Sequence, residues 1–168
     1  MSKFEELCST YKKAVDAWWA YRDEGLQFVR MLIARYLTYL KLPQSDWRFV
    51  PVGKEPEPNR TYNCLEAMHL HQDTFWHLGF QITMYAAPNE YPRQRLLIHL
   101  RFRKAGTQTF LVKIAENDPG HLIAMDQEET FTVFFDFLHS QILRHFEDRP
   151  RNFPQHPESL GEIGFGLL

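Results

Sequence analysis

Apolar residues recur every three or four positions at the two ends of the chain and every second position in its middle. The first spacing is that of an amphipathic helix and the second that of a half-buried strand. At the start, Phe4, Leu7, Cys8, Tyr11, Val15, Trp18 and Trp19 share one helical face, with Lys12, Lys13 and Asp16 opposite. Ser2 and Glu5 have capping-box spacing, and Glu5 and Glu6 stand where the helix dipole favours negative charge. A helix is therefore predicted from the first residues, broken or bent at Gly25.

After Gly25 the apolar arc widens. On a helical wheel of residues 26–42, Gln27, Arg30, Ala34, Thr38 and Lys41 occupy one narrow polar strip. Phe28, Val29, Leu32, Ile33, Tyr36, Leu37, Tyr39 and Leu40 cover most of the rest. One sheet face does not need an arc this wide. Two readings follow: a central helix covered on two sides within the chain, or an oligomer or partner interface built on Phe28, Leu32, Tyr36 and Tyr39. Pro43 ends the helix. "DWRFVPV" reads as a short edge strand, because Pro51 has no N–H for a ladder. "GKEPEPNR" reads as a surface loop.

Strict alternation then sets in. Trp76, Leu78, Phe80, Ile82 and Met84 alternate with Phe75, His77, Gly79, Gln81, Thr83 and Tyr85. Leu96, Ile98, Leu100 and Phe102 alternate with Arg95, Leu97, His99, Arg101 and Arg103; Phe110, Val112 and Ile114 alternate with Thr109, Leu111 and Lys113. "KAGT" is a hairpin turn, "NDPG" another turn, and "HLIAM" one more short strand. One apolar face per strand predicts an antiparallel sheet covered on one side. The last helix has Asp126 and Glu129 at N-cap and N3 spacing and an inward stripe of Phe131, Phe134, Phe135, Leu138, Ile142 and Phe146. The predicted class is α+β: an N-terminal helical segment, an antiparallel sheet of four or five strands and a C-terminal helix, with helices on one sheet face. Residues 1–148 form the single domain, and residues 149–168 an extended tail whose final "IGFGLL" is apolar enough to dock.

Composition changes this picture little. The 168 residues suit one domain with a real core. A net charge of -2 supplies no global field toward nucleic acid or anionic lipid, so neither is an expected partner. Aromatics make up 15% of the chain, which points to a large aromatic core, a partner surface or both. Arg30 and Arg35 interrupt the most apolar segment, so no membrane span is expected. Cys8 and Cys64 have no metal-type spacing and read as two reduced thiols of a cytoplasmic protein.

Two constellations carry candidate chemistry. The first is "EAMHLHQDTFWH", with His69, His71 and His77. As a strand, residues 64–72 would put His69 and His71 on one face, where imidazoles at this spacing can share a metal. As a helix, announced by Asn63 and Glu66, the two would point about 200° apart and could not. Both assignments fit the residues. A metal would further need His77 or His99 in register, so no metal or cofactor is expected, and the histidines remain pocket candidates. The second constellation is basic: Arg95, His99, Arg101, Arg103 and Lys113 fall on the sheet face away from the apolar side. Such a face suits a carboxylate or phosphate of a partner or ligand, although solvent-facing strand positions are polar in any case.

No nucleophile elbow, P-loop, H-E-x-x-H or dinucleotide glycine fingerprint occurs in the chain. The leading expectation is a non-enzymatic cytosolic binding module, an adaptor, chaperone-like or regulatory protein. It would use the apolar helix face and the basic sheet face, with a protein partner or a homo-oligomer. The alternative is a small-ligand protein or enzyme with a His/Arg-lined pocket on the outer sheet face.

Overall fold

The computed structural model describes residues 1–87, 90–115, 117–152 and 165–167. The order is α1 (Lys3–Leu40), β1 (Trp47–Val50), α2 (Cys64–Ala67), β2 (His69–Leu70), β3 (Trp76–Ala87), β4 (Glu90–Gly106), β5 (Thr109–Lys113), β6 (His121–Ala124), α3 (Glu128–Asn152) and β7 (Phe165–Leu167). The strands form one antiparallel sheet in the order β1-β3-β4-β5-β6, with β2 also on β3 and β7 on β4. The α+β class is as expected, and β1 lies at the edge where Pro51 requires it.

The inner face of the sheet is the apolar half of each alternation. Trp76, Leu78, Phe80 and Ile82 of β3 meet Leu96, Ile98, Leu100 and Phe102 of β4, then Phe110 and Val112 of β5. Onto this face pack Phe28, Val29, Leu32, Ile33 and Tyr36 of α1 and Phe131, Phe134, Phe135 and Leu138 of α3. The Phe28 ring stacks on Phe110 at 4.1 Å, and Tyr36 sits 5.2 Å from Phe135. The wide apolar arc of residues 26–42 is thus divided between the sheet and α3. Phe28, Leu32 and Tyr36 are core residues, and the interface expected on them is corrected: none of the three reaches the surface. Tyr39 alone is exposed, and its hydroxyl donates to Asp136 of α3 at 2.7 Å.

Gly25 neither breaks nor bends α1 into two elements. The helix runs through it for 38 residues, about 57 Å at ~1.5 Å per residue. A Cβ there would stand 3.2 Å from the Trp76 indole nitrogen, so the missing side chain lets the helix lie close on the sheet. The capping box of Ser2 and Glu5 is formed, and Lys41 closes the other end in the left-handed region with its N–H on Leu37 and Thr38 carbonyls. Residues 64–72 are both of the expected alternatives in turn: a one-turn helix, α2, capped reciprocally by Asn63 and Glu66, and then β2.

Two boundaries differ from expectation. The last helix begins at Glu128, not just after Asp126. The Thr130 hydroxyl donates to the Gln127 carbonyl at 2.7 Å and takes the Ala124 N–H at 3.1 Å, which fastens the first turn to β6. Its other end continues to Asn152, past the predicted start of the tail at residue 149. Within the expected tail, Phe165–Leu167 adds a strand to β4 opposite Leu96–Ile98. Residues 153–164 and 168 lie outside the described residues. Among the described residues, no helix is long and apolar enough to cross a membrane.

Candidate functional site

The outer sheet face holds the candidate residues, and strand register decides which of them meet. His69 of β2 pairs with His77 of β3, His77 with Arg101 of β4, and Arg101 with Lys113 of β5. These four therefore form one row across the sheet. His99 lies one step along β4, opposite Gly79, and Arg103 one step the other way, opposite Leu111. Arg95 pairs with Thr83. It is six residues from Arg101 along β4, about 20 Å at the rise of a strand, so it does not converge with Arg101 and Arg103 on one anion.

The turn between β2 and β3 completes the site. His71 donates its N–H to the Phe75 carbonyl at 3.0 Å, and Thr74 donates to the His71 carbonyl at 3.1 Å. Thr74 has φ of 70, a left-handed conformation that closes the turn. Asp73 Oδ1 accepts the Phe75 N–H at 3.0 Å, an Asx turn. That leaves Asp73 Oδ2 aimed at His77, whose Nε2 lies 2.8 Å away. His77 Nδ1 in turn lies 2.8 Å from His99 Nε2. The His71 ring stacks on His77 at 3.8 Å, nearly parallel.

This line of groups fixes its own protons. Burial disfavours ionisation of Asp73, but the Phe75 N–H and His77 outweigh it and hold the carboxyl below its ordinary range. An ionised Asp73 can only accept, so His77 Nε2 donates to it. His77 Nδ1 is then the acceptor, and His99 Nε2 donates to it. Desolvation holds His77 below its usual value against the pull of Asp73, with His71 and Arg101 adding to the depression. Desolvation also pushes His99 down to about 4, helped by His77 and Arg101. His69 is lowered by burial and by Lys54. At neutral pH, Asp73 is charged and His77 and His99 are neutral donors and acceptors in a defined order.

The cations flank this line. Arg103 Nη1 donates to the Thr74 hydroxyl at 3.3 Å, and its guanidinium lies over the Phe75 ring at 4.7 Å. Lys113 Nζ approaches the same ring at 5.5 Å. Phe75, in the outward half of the alternation, is nevertheless buried, roofed by these two side chains. Nearby, a Cβ on Gly120 would come 2.6 Å from Leu111 Cδ1, so the turn before β6 folds over the outward-facing Leu111. The outer face is therefore not uniformly solvated: His77, Gly79 and Gln81 are buried too.

Sequence reasoning assembled His77, His99, Arg101, Arg103 and Lys113 correctly on one face and missed Asp73 and Phe75 as members of the site. The signal for Asp73 was present in "HQDTF", an Asx-turn composition between two strands. Among the described residues, no group of three or more His, Cys, Asp or Glu side chains is arranged to hold a metal ion. The short contacts that join His77 to its neighbours are hydrogen bonds, which occupy the nitrogens that a metal would need. Cys64 is buried, and desolvation raises its thiol to about 11, which suppresses the thiolate. No family model, curated protein or solved structure matches the chain.

Proposed function

We propose that this protein is a non-enzymatic binding module that holds an anionic group of a partner, a carboxylate or a phosphate, on the outer face of its sheet. One observation carries the reading: Arg103 and Lys113 converge on the neutral Phe75 ring, while the nearby carboxylate, Asp73, is engaged by His77 and the Phe75 N–H. Arg103 and Lys113 are diagonal neighbours on adjacent strands, about 7–8 Å apart at the backbone, a span that one phosphate or carboxylate can bridge. Neutral His99 and the row through Arg101 would set the depth of the site. Two unpaired thiols, Cys8 and Cys64, support a reducing, cytoplasmic setting.

The test is a titration with inorganic phosphate and, separately, with a Glu-rich peptide, followed by the ring and guanidinium NMR signals. Saturable shifts of Arg103 and the site histidines are expected, weakening with salt. Arg103→Ala and Lys113→Ala should each weaken binding by about tenfold or more, the worth of one hydrogen bond to a charged group. If neither probe saturates, or if the double variant binds as the wild type does, the reading is wrong.

The line Asp73–His77–His99 favours a second reading, a small-ligand or catalytic pocket. Two successive 2.8 Å contacts can form a relay in which His99 Nδ1 takes a proton from an attacking water, the His99 Nε2 proton passes to His77 Nδ1, and Asp73 stabilises the His77 imidazolium. Under that reading, an activated ester or phosphate ester is turned over near pH 7, and His99→Gln abolishes turnover while the arginine-dependent phosphate binding survives. Equal rates for the wild type and His99→Gln would dismiss it.

A further inference from the structure

The first half of α1 has an apolar face that the described residues do not cover. Phe4 is 73% exposed, Leu7 68%, Tyr11 72%, Trp18 44% and Trp19 45%. The described hydrogen bonds, ion pairs and ring contacts of residues 3–20 stay within the helix, and contact with the sheet starts at Tyr21, whose ring lies 5.7 Å from Trp76. Most helical stability in proteins comes from the tertiary packing of an amphipathic face.

The pattern of the face shows what fits it. Phe4, Leu7, Tyr11, Ala14, Trp18 and Tyr21 are spaced alternately by three and four residues, and the same seam continues through Gly25, Phe28 and Leu32 into the core. A seam of this spacing is the pattern by which helices pair along their length. The side-chain charges of residues 1–20 cancel: Lys3, Lys12 and Lys13 against Glu5, Glu6 and Asp16. A helix that binds membranes carries a basic polar face, and this one does not. A charged partner likewise has nothing to match. A copy of the same neutral helix does match.

We propose that α1 pairs antiparallel with α1 of a second copy of this chain through the face Phe4–Trp19. In this alignment Leu7 of one copy lies opposite Trp18 of the other, and Tyr11 opposite Ala14, so large side chains meet smaller ones. A parallel pair would set Ala14 against Ala14 and leave a gap between aromatic layers. Antiparallel pairing also opposes the two helix dipoles and places the two folded bodies at opposite ends. The exposed parts of the five large side chains amount to about 600 Å² per copy, taking ~200 Å² for a whole large side chain. Two copies would bury up to about 1,200 Å², the lower end of the range of specific interfaces.

Sedimentation equilibrium at high micromolar concentration should give the mass of two chains. The variant Leu7→Glu/Tyr11→Glu should self-associate about 100-fold more weakly. It should keep the near-ultraviolet circular dichroism of the folded body, because both residues lie outside the core. A spin label on exposed Cys8, with Cys64 buried, reports the orientation. The antiparallel alignment separates the two labelled backbones by about 16 Å, nine residues of rise plus the distance between helix axes. A mass other than two chains, a dimer indifferent to the double variant, flotation of the wild type as a monomer on neutral vesicles, or a label separation below about 10 Å would each overturn the proposal.

Discussion

Replacing Phe28 by Ala should lower the free energy of unfolding by about 3–5 kcal/mol, the usual range for removing a buried Phe from a core. Phe28 is fully buried, stacks on Phe110 at 4.1 Å and also touches Phe102 across the α1–sheet interface. Strand pairing on β4 and β5 fixes the backbones that carry Phe102 and Phe110, so the space closes only in part. Urea denaturation measures the loss. If residues 26–42 were an interface, the change would appear in the mass of the particle and not in its stability. A loss under about 1 kcal/mol, below the range for such cavities, would mean that Phe28 is not the core residue described.

The second large effect is a pH dependence. His99 is held at about 4 when folded, from an ordinary value of 6.5. A depressed histidine is neutral in the folded state while the unfolded chain takes up a proton, so stability is intact above pH 6.5 and falls as the pH drops toward 4. The full shift would correspond to about 3 kcal/mol, and about 2 kcal/mol remains after allowing for solvent at a half-buried group. His77, shifted in the same direction, adds to the loss. Asp73 acts separately: its lowered carboxyl withdraws stability only as the pH falls below its ordinary 3.8. His99→Gln keeps an N–H for His77 Nδ1 and does not titrate, so its urea midpoint should vary much less between pH 6.5 and 4. Parallel curves for the two proteins would place the acid loss elsewhere.

The sheet was legible because its residues obey one rule over long runs. Trp76 to Met84 alternates without a fault and Leu96 to Phe102 departs from alternation only at Leu97, and that sets which side meets the helices. The helix stripes were legible for the same reason, as were the capping boxes at Ser2 and Asn63. Gly25 misled because a glycine that breaks a helix and one that admits a close neighbour look alike in sequence; the indole of Trp76, distant along the chain, decides between them. Of the two readings of the arc of residues 26–42, a helix covered on two sides within the chain holds and the interface on Phe28, Leu32 and Tyr36 does not; the width records two contacts, and the second, α3, lies far along the chain. The site was half legible. Alternation places His77, Arg101 and Lys113 on one face, but the row they form depends on register between strands. Asp73 enters only through the geometry of a turn.

Chain order sets a hazard during synthesis. The sheet grows by neighbouring hairpins from β3 to β6, whereas α1, first in the chain, packs on strands made much later. Once Leu40 has left the ribosome, about 70 further residues must be added before Phe110 follows it out to receive Phe28, roughly 4 to 14 seconds at the usual rate of elongation. Through that interval the apolar arc of α1 has no sheet to cover it. Nascent chains on neighbouring ribosomes can meet through it, and a holding chaperone finds its target in α1 before the sheet is made.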